Sequence, residues 1–164
     1  MEGSASKLLV SSLVSYPVTT CGLQPEIRDI DMHLPTEQGA KVTAHYNSNI
    51  NTLKSLIAEF GAQTVQALQA DLSIEGDVVR LFSQASTSFG PVQSIIVNHG
   101  VWPTADQPVV KMSLDQWKST IDTNLTSSFL VSREYLRNLE SASDALKTYA
   151  SIIFVGSTAG KFGE

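Results

Sequence analysis

The sequence predicts an α/β domain built on a doubly wound parallel sheet, with helices on both faces. Three observations carry that expectation. From Lys41 onward the hydrophobic period switches repeatedly between strand spacing and helix spacing. The run Ser94-Ile95-Ile96-Val97-Asn98 is apolar enough for a strand buried on both faces. The resulting order of strand, helix, strand, helix is the order that parallel sheets with crossover helices require.

Each element has its own local reason. Lys41-Val42-Thr43-Ala44-His45-Tyr46 is a short strand rich in β-formers. Asn47 to Asn51 is a polar turn whose asparagines can cap the next helix. Leu53, Leu56, Ile57 and Phe60 then repeat at helical spacing, and Gly61 closes that helix. Thr64 to Ala70 alternates as a strand and ends at Asp71. Ser73 is the expected N-cap of the following helix, with Glu75 and Asp77 in its first turn, where the helix dipole favours acids. Val78, Phe82, Ala85 and Phe89 share one face, and Gly90-Pro91 ends the run. Ser113 with Gln116 forms a capping-box pattern that opens a helix through Trp117, Ile121 and Leu125, continuing past Phe129, Leu130 and Leu136. Ser141 to Thr148 reads as a polar loop, and Ser151 to Ser157 as a last strand running into a turn.

At the start, Leu8-Leu9-Val10 and Leu13-Val14 follow Lys7 as a short apolar stretch broken by Ser11 and Ser12. It is too short to span a bilayer and lacks a strongly basic lead. It reads as a strand or as a frayed arm, so residues 1–14 stay unassigned, and 15–164 form the partial domain. The cytoplasm is the default compartment, with a signal peptide as the alternative.

Composition narrows the function classes. The 164 residues suffice for one domain with a core, and the hydrophobic fraction of 42% is ordinary for a globular chain. A net charge of -5 without a basic run argues against a nucleic-acid partner. A single cysteine, Cys21, excludes an internal disulfide framework. His33, His45 and His99 are scattered without metal-ligand spacing, so no metal site is expected.

Parallel sheets bind ligands outside the carboxyl ends of their strands. The polar residues at those ends are Asn47, Asp71, Asn98 and Ser157. Taken singly, each has a plain structural reading as a turn or strand-end residue, since loops use these types routinely.

Taken together they resemble a known family. Val97-Asn98-His99-Gly100 looks like the Asn-Ala-Gly turn of the short-chain dehydrogenases/reductases, and Asn124 in Asp122-Thr123-Asn124-Leu125 looks like the asparagine of that family's central helix. Ser157 in Phe154-Val155-Gly156-Ser157-Thr158-Ala159-Gly160 looks like its catalytic serine, and Asp71 like the aspartate placed near the adenine. The motifs stand in family order on the expected elements, from about Gly39 to Glu164. The resemblance implies a Rossmann-like fold and an NAD(P)-dependent oxidoreductase acting on a carbonyl or secondary alcohol. It implies Ser157 and Asn124 as catalytic residues, and Asn47, Asp71, Asn98, Gly100 and Arg133 on the cofactor side. Gly100 would let the backbone pass close to the cofactor without a Cβ. Arg133 has a competing reading as a solvated helix residue, and His99, in place of the usual alanine, as a bulky turn residue. Trp102 and Trp117 read as core or rim. The second strand ends in His45-Tyr46-Asn47-Ser48 without the acid that would accept ribose hydroxyls, which favours NADP over NAD. The remaining partners implied are a small-molecule substrate and, for a full-length protein, a second copy of the chain.

Two departures from the family pattern matter. The glycine-rich turn that would cradle a pyrophosphate corresponds to Val18 to Arg28, where Thr20, Gly22 and, further on, Gly39 fit a decayed version. Pro25-Glu26 occupies the place of the later glycines, and Glu26 would repel a pyrophosphate. The family's Tyr-x-x-x-Lys pair is expected about a dozen residues beyond Ser157, and the chain stops at Glu164, so the sheet is expected to be incomplete. Tyr135 and Tyr149 have no lysine four residues on. The readings that follow are a truncated oxidoreductase, an inactive remnant serving as a binding or partner protein, or another doubly wound nucleotide-binding module.

Overall fold

The structure is a computed structural model that describes residues 7–11, 40–101, 107–157 and 159–162. Among the described residues five strands form one parallel sheet: β1 Lys7–Ser11, β2 Lys41–Tyr46, β3 Val65–Gln69, β4 Ser94–Val97 and β5 Ser151–Phe154. Their spatial order is β3-β2-β1-β4-β5. β1 pairs with β2 on one side and with β4 on the other, so Ser11 stands in register with both His45 and Val97. Chain order reverses at this strand, which makes the space beyond β1 the topological switch point.

Lys7–Ser11 is thus the central strand. The alternative of a frayed arm does not hold for these five residues, which lie inside the domain rather than ahead of it. The decayed glycine turn, Cys21, Gly39 and Trp102 lie outside the described residues.

Strand alternation divides the core between the two faces of the sheet. On one face Val42, Ala44, Val65 and Ile96 pack against Leu53 and Leu56 of helix α1, Asn51–Phe60. On the other face Ile95 and Val97 pack with Val78, Leu81, Phe82 and Ala85 of helix α2, Glu75–Phe89. Leu130, Val131 and Tyr135 join that second cluster from the long helix described next. Burying both faces explains why β4 is apolar without alternation.

The stretch 114–140 is one continuous helix with a defect. Helix α3, Leu114–Ile121, passes into a π-helical turn, Asp122–Thr126, and continues as α4, Ser127–Glu140. Ser113 caps its start by accepting the Gln116 N–H at 3.1 Å, as the capping pattern predicts. Hydrophobic periodicity does not reveal the widened turn, because it averages over a single extra residue. Such bulges occur frequently at functional sites.

One cap expectation and one loop expectation need correction. Ser73 does not cap α2; its N–H and Oγ both donate to Asp71 Oδ1, at 2.9 and 2.6 Å, and Ile74 takes the N-cap place. The polar loop at 141–148 contains a short helix α5, Asp144–Lys147, capped by Ser143. At the turn after β2 the N-cap place falls to Ile50, which makes no side-chain cap bond, while Asn49 Oδ1 accepts the Asn51 N–H at 3.0 Å in a local turn.

β5 stands at the edge of the sheet, followed by a last helical turn α6, Ala159–Phe162. Ile153 is 49% and Phe154 60% exposed, because no described element covers them. No described helix is long and apolar enough to cross a membrane.

Candidate functional site

Parallel pairing brings the strand ends to a common edge of the sheet. Asn47 follows β2, Asp71 lies two residues past β3, Asn98 follows β4 directly, and Ser157 lies three residues past β5. Val155 N–H continues the β4–β5 pairing by donating to Val97 O at 3.0 Å. Asp71, Asn98 and Ser157 therefore share the carboxyl edge, as the order of strand patterns predicts.

A cavity of about 290 Å³ opens at this edge. Asn47, Asp71 and Gly100 line it from three different strand ends. Ser119, Asp122, Thr123 and Ser127 form the opposing wall on the long helix. Asn98, Asn124, Arg133 and Ser157 are not among the lining residues. No motif in the sequence marks the wall residues; the one signal is that Ser119, Thr123 and Ser127 recur at every fourth position and so stack on one helix face.

Asp71 is held from two directions. Its Oδ1 takes the two Ser73 bonds, and its N–H donates to Asp77 Oδ2 at 2.8 Å. Asp77 is in turn paired with Arg80 at 2.9 Å. The Asp71 N–H, then Arg80, hold the Asp77 carboxyl below its usual value. The first turn of α2 thus fixes the backbone that presents Asp71 to the cavity.

The turn after β4 is fastened to the π-helical turn. Asn124 accepts the Val101 N–H at 2.6 Å through Oδ1 and donates Nδ2–H to Val101 O at 2.9 Å. Gly100 lies against this clamp: a Cβ there would stand 3.1 Å from Asn124 Oδ1. The need for glycine is met by the protein itself, in addition to any need from a cofactor.

Arg133 is placed elsewhere. It pairs with Glu75 of α2 and stacks over Phe129, 4.9 Å from the ring centroid. It links α4 to α2 and is not among the residues that line the cavity. Ser157 is exposed, and its carbonyl accepts the Gly160 N–H at 3.2 Å.

Two histidines flank the switch point, His45 buried and His99 half-buried. His45 of β2 donates Nε2–H to Ala70 O at 2.8 Å and is fully buried. Burial holds its pKa below the usual value, against opposing contributions from the Ala70 carbonyl and Asp71. His99 lies with Nε2 2.5 Å from Ser127 Oγ. Burial, with a smaller contribution from His45, lowers its pKa to about 4. Among the described residues no group of His, Cys, Asp and Glu is arranged to hold a metal ion.

The chain matches the short chain dehydrogenase family over residues 33–164. It is 29% identical over 115 residues to a short-chain type dehydrogenase/reductase of Picea abies, covering 65% of this chain and 42% of that protein. It is 26% identical over 103 residues to the 2-dehydro-3-deoxy-D-gluconate 5-dehydrogenase of Formosa agariphila, covering 62% and 38%. A short-chain dehydrogenase/reductase from Serratia marcescens superposes with a TM-score of 0.73 at 21% identity, covering 94% of this chain and 56% of that one. A glucose/ribitol dehydrogenase of the same class from Brucella melitensis superposes at 0.74 and 22%, covering 100% and 62%. The chain spans about two fifths of the length of these two curated relatives. With the β3-β2-β1-β4-β5 sheet and a cavity at its switch point, the match over residues 33–164 establishes that this chain belongs to the short chain dehydrogenase family, a family of NAD(P)-using oxidoreductases.

Proposed function

We propose that this chain is the nucleotide-binding half of an NADP-dependent oxidoreductase that acts on a carbonyl or secondary alcohol. The observation that carries the reading is the convergence of Asn47, Asp71 and Gly100, from three strand ends, on one cavity at the switch point. The cavity's volume is just under the roughly 300–1,000 Å³ of small-molecule sites, which suits one moiety of a dinucleotide. Its amide, carboxylates and hydroxyls suit an adenosine end. Asp71 and Asp122 are the charged groups of the lining, so phosphate would be held outside these walls. Asn47, where an acid would favour NAD, supports NADP.

When bound, the cofactor supplies or accepts a hydride. The chain's own residues bind and position. Asp71, Asn47 and Gly100 hold the nucleotide, and Ser157 hydrogen-bonds the substrate oxygen. Asn124 keeps the turn after β4 in place. None of the four tyrosines, Tyr16, Tyr46, Tyr135 and Tyr149, has a lysine four residues on, so the 164 residues carry no family proton donor. The proposed setting is the cytoplasm, with a small-molecule substrate and further copies of the chain as partners.

A second reading is an inactive form serving as a partner subunit. The exposed Ile153 and Phe154 on β5 favour it, since an edge strand with apolar side chains is an association surface. Calorimetric titration of the 164-residue chain with NADP and NAD tests the main reading. The expected result is weak binding that prefers NADP, because Pro25-Glu26 replaces the phosphate-cradling glycines. Micromolar affinity would remove the argument from Pro25-Glu26, and a preference for NAD would overturn the cofactor assignment.

A further inference from the structure

His99 touches the cavity wall from behind. Ser127, 1% exposed, donates its own proton to Thr123 O at 2.5 Å. Its oxygen is then an acceptor toward His99, which makes Nε2 the protonated ring nitrogen. Ser128 repeats the pattern: its Oγ donates to Asn124 O at 2.8 Å and stands 3.5 Å from the same Nε2. Both hydroxyls bond back to a carbonyl four residues earlier, a habit that bends helices. These carbonyls belong to the π-helical turn that carries the wall residues Asp122 and Thr123.

We infer that His99 is a positioning residue of the nucleotide cavity: through Ser127 at the start of α4 it fixes the wall that Asp122 and Thr123 of the π-helical turn form. The inference rests on the reading of the cavity as a nucleotide pocket, and it goes beyond that reading by giving this histidine a task. Asn124 fastens the same turn to Val101 by a separate link, so the segment after β4 is joined to the wall at two points. Burial keeps His99 neutral at pH 7, so a single donor faces Ser127.

The test uses the 164-residue chain, with adenosine 5′-diphosphate as the probe and amide hydrogen exchange at residues 122–127 as a ligand-free readout. His99→Ala should speed exchange of those amides and weaken the nucleotide by about tenfold, the usual scale of one lost hydrogen bond. His99→Gln, whose amide N–H can reach where Nε2–H stood, should restore both to within about twofold. Ser127→Ala should reproduce the loss, and adding His99→Ala to it should cost nothing more. Wild-type exchange and affinity in His99→Ala would overturn the inference, as would His99→Gln behaving like the alanine variant. Should His99→Ala fail to fold, His99→Phe decides in its place, since it keeps a ring of similar size, removes the Nε2–H and leaves Ser127 with its bond to Thr123 O; wild-type exchange and affinity in it would equally overturn the inference. If the wild-type chain ignores the nucleotide, the pocket reading fails, while the exchange data still decide whether His99 holds the wall.

Discussion

Asn124 spends both ends of its side-chain amide on one residue, Val101, taking its N–H at 2.6 Å and giving a proton to its carbonyl at 2.9 Å. A carboxylate could accept the first bond but not donate the second. Asn124→Asp is therefore expected to set a negative oxygen against the Val101 carbonyl and to lower stability by about 1–2 kcal/mol. Urea denaturation checks this; an unchanged midpoint would show that the clamp contributes nothing.

Gly100→Ala tests the same junction from the other side. The added methyl meets Asn124 Oδ1 at 3.1 Å, tighter than ordinary contact, so the clamp must shift. Loss of about 1 kcal/mol is expected, of the size of overpacking effects. Combined with Asn124→Ala, the penalty should largely vanish, and a double-mutant cycle on thermal or urea unfolding reads that coupling.

Tyr135 ties three elements together. Its hydroxyl donates to Gln93 O just before β4 and accepts the Ser151 N–H of β5 at 3.1 Å, from a side chain 1% exposed. Burial is the leading reason its pKa is raised, so it remains a neutral donor at physiological pH. Tyr135→Phe keeps the ring and strands two backbone groups. The expected cost is about 1–3 kcal/mol, with faster amide exchange at Ser151 as the local sign.

Stability should fall in mild acid. His99 has a folded pKa of about 4 against 6.5 in the unfolded chain, so between those values the unfolded state binds the extra proton. Its contribution is complete above pH 6.5 and is lost progressively as pH drops toward 4, by up to about 3 kcal/mol. His45 is shifted in the same direction and adds to the same trend. Asp77, lowered from 3.8, adds stability that is lost only below that window. Unfolding free energies measured from pH 4 to 7.5 check this, and His99→Gln should flatten the slope.

Turnover should require residues that this chain does not contain. Hydride transfer to a carbonyl leaves an alkoxide, and a serine hydroxyl at Ser157 is too weak an acid to protonate it efficiently. A missing positioned acid costs about 10²–10⁴-fold in rate. Following NADPH absorbance with ketones and quinones, the 164-residue chain should be silent and a form extended into Tyr-x-x-x-Lys active. Turnover by the short chain that disappears in Ser157→Ala would point to a different proton donor.

The sequence by itself determined the alternation of strands and helices, the polar residues at the strand ends and the family. Those properties are local: a period of two or 3.6, a cap such as Ser113, a turn such as Val97 to Gly100. Only the tertiary structure decided which strand is central, because three apolar residues between Lys7 and Ser11 carry no mark of their partners. Pairing with both β2 and β4 makes Lys7–Ser11 the switch-point strand. It also decided the fate of individual side chains. Arg133 sits on the helix face that meets Glu75, and His99 reaches Ser127 across 28 residues of chain. Neither contact leaves a trace in spacing, since each depends on where two helices cross a sheet. The π-helical turn is of the same kind: one extra residue in a long helix leaves the hydrophobic pattern intact on average, yet two residues of that turn, Asp122 and Thr123, line the cavity.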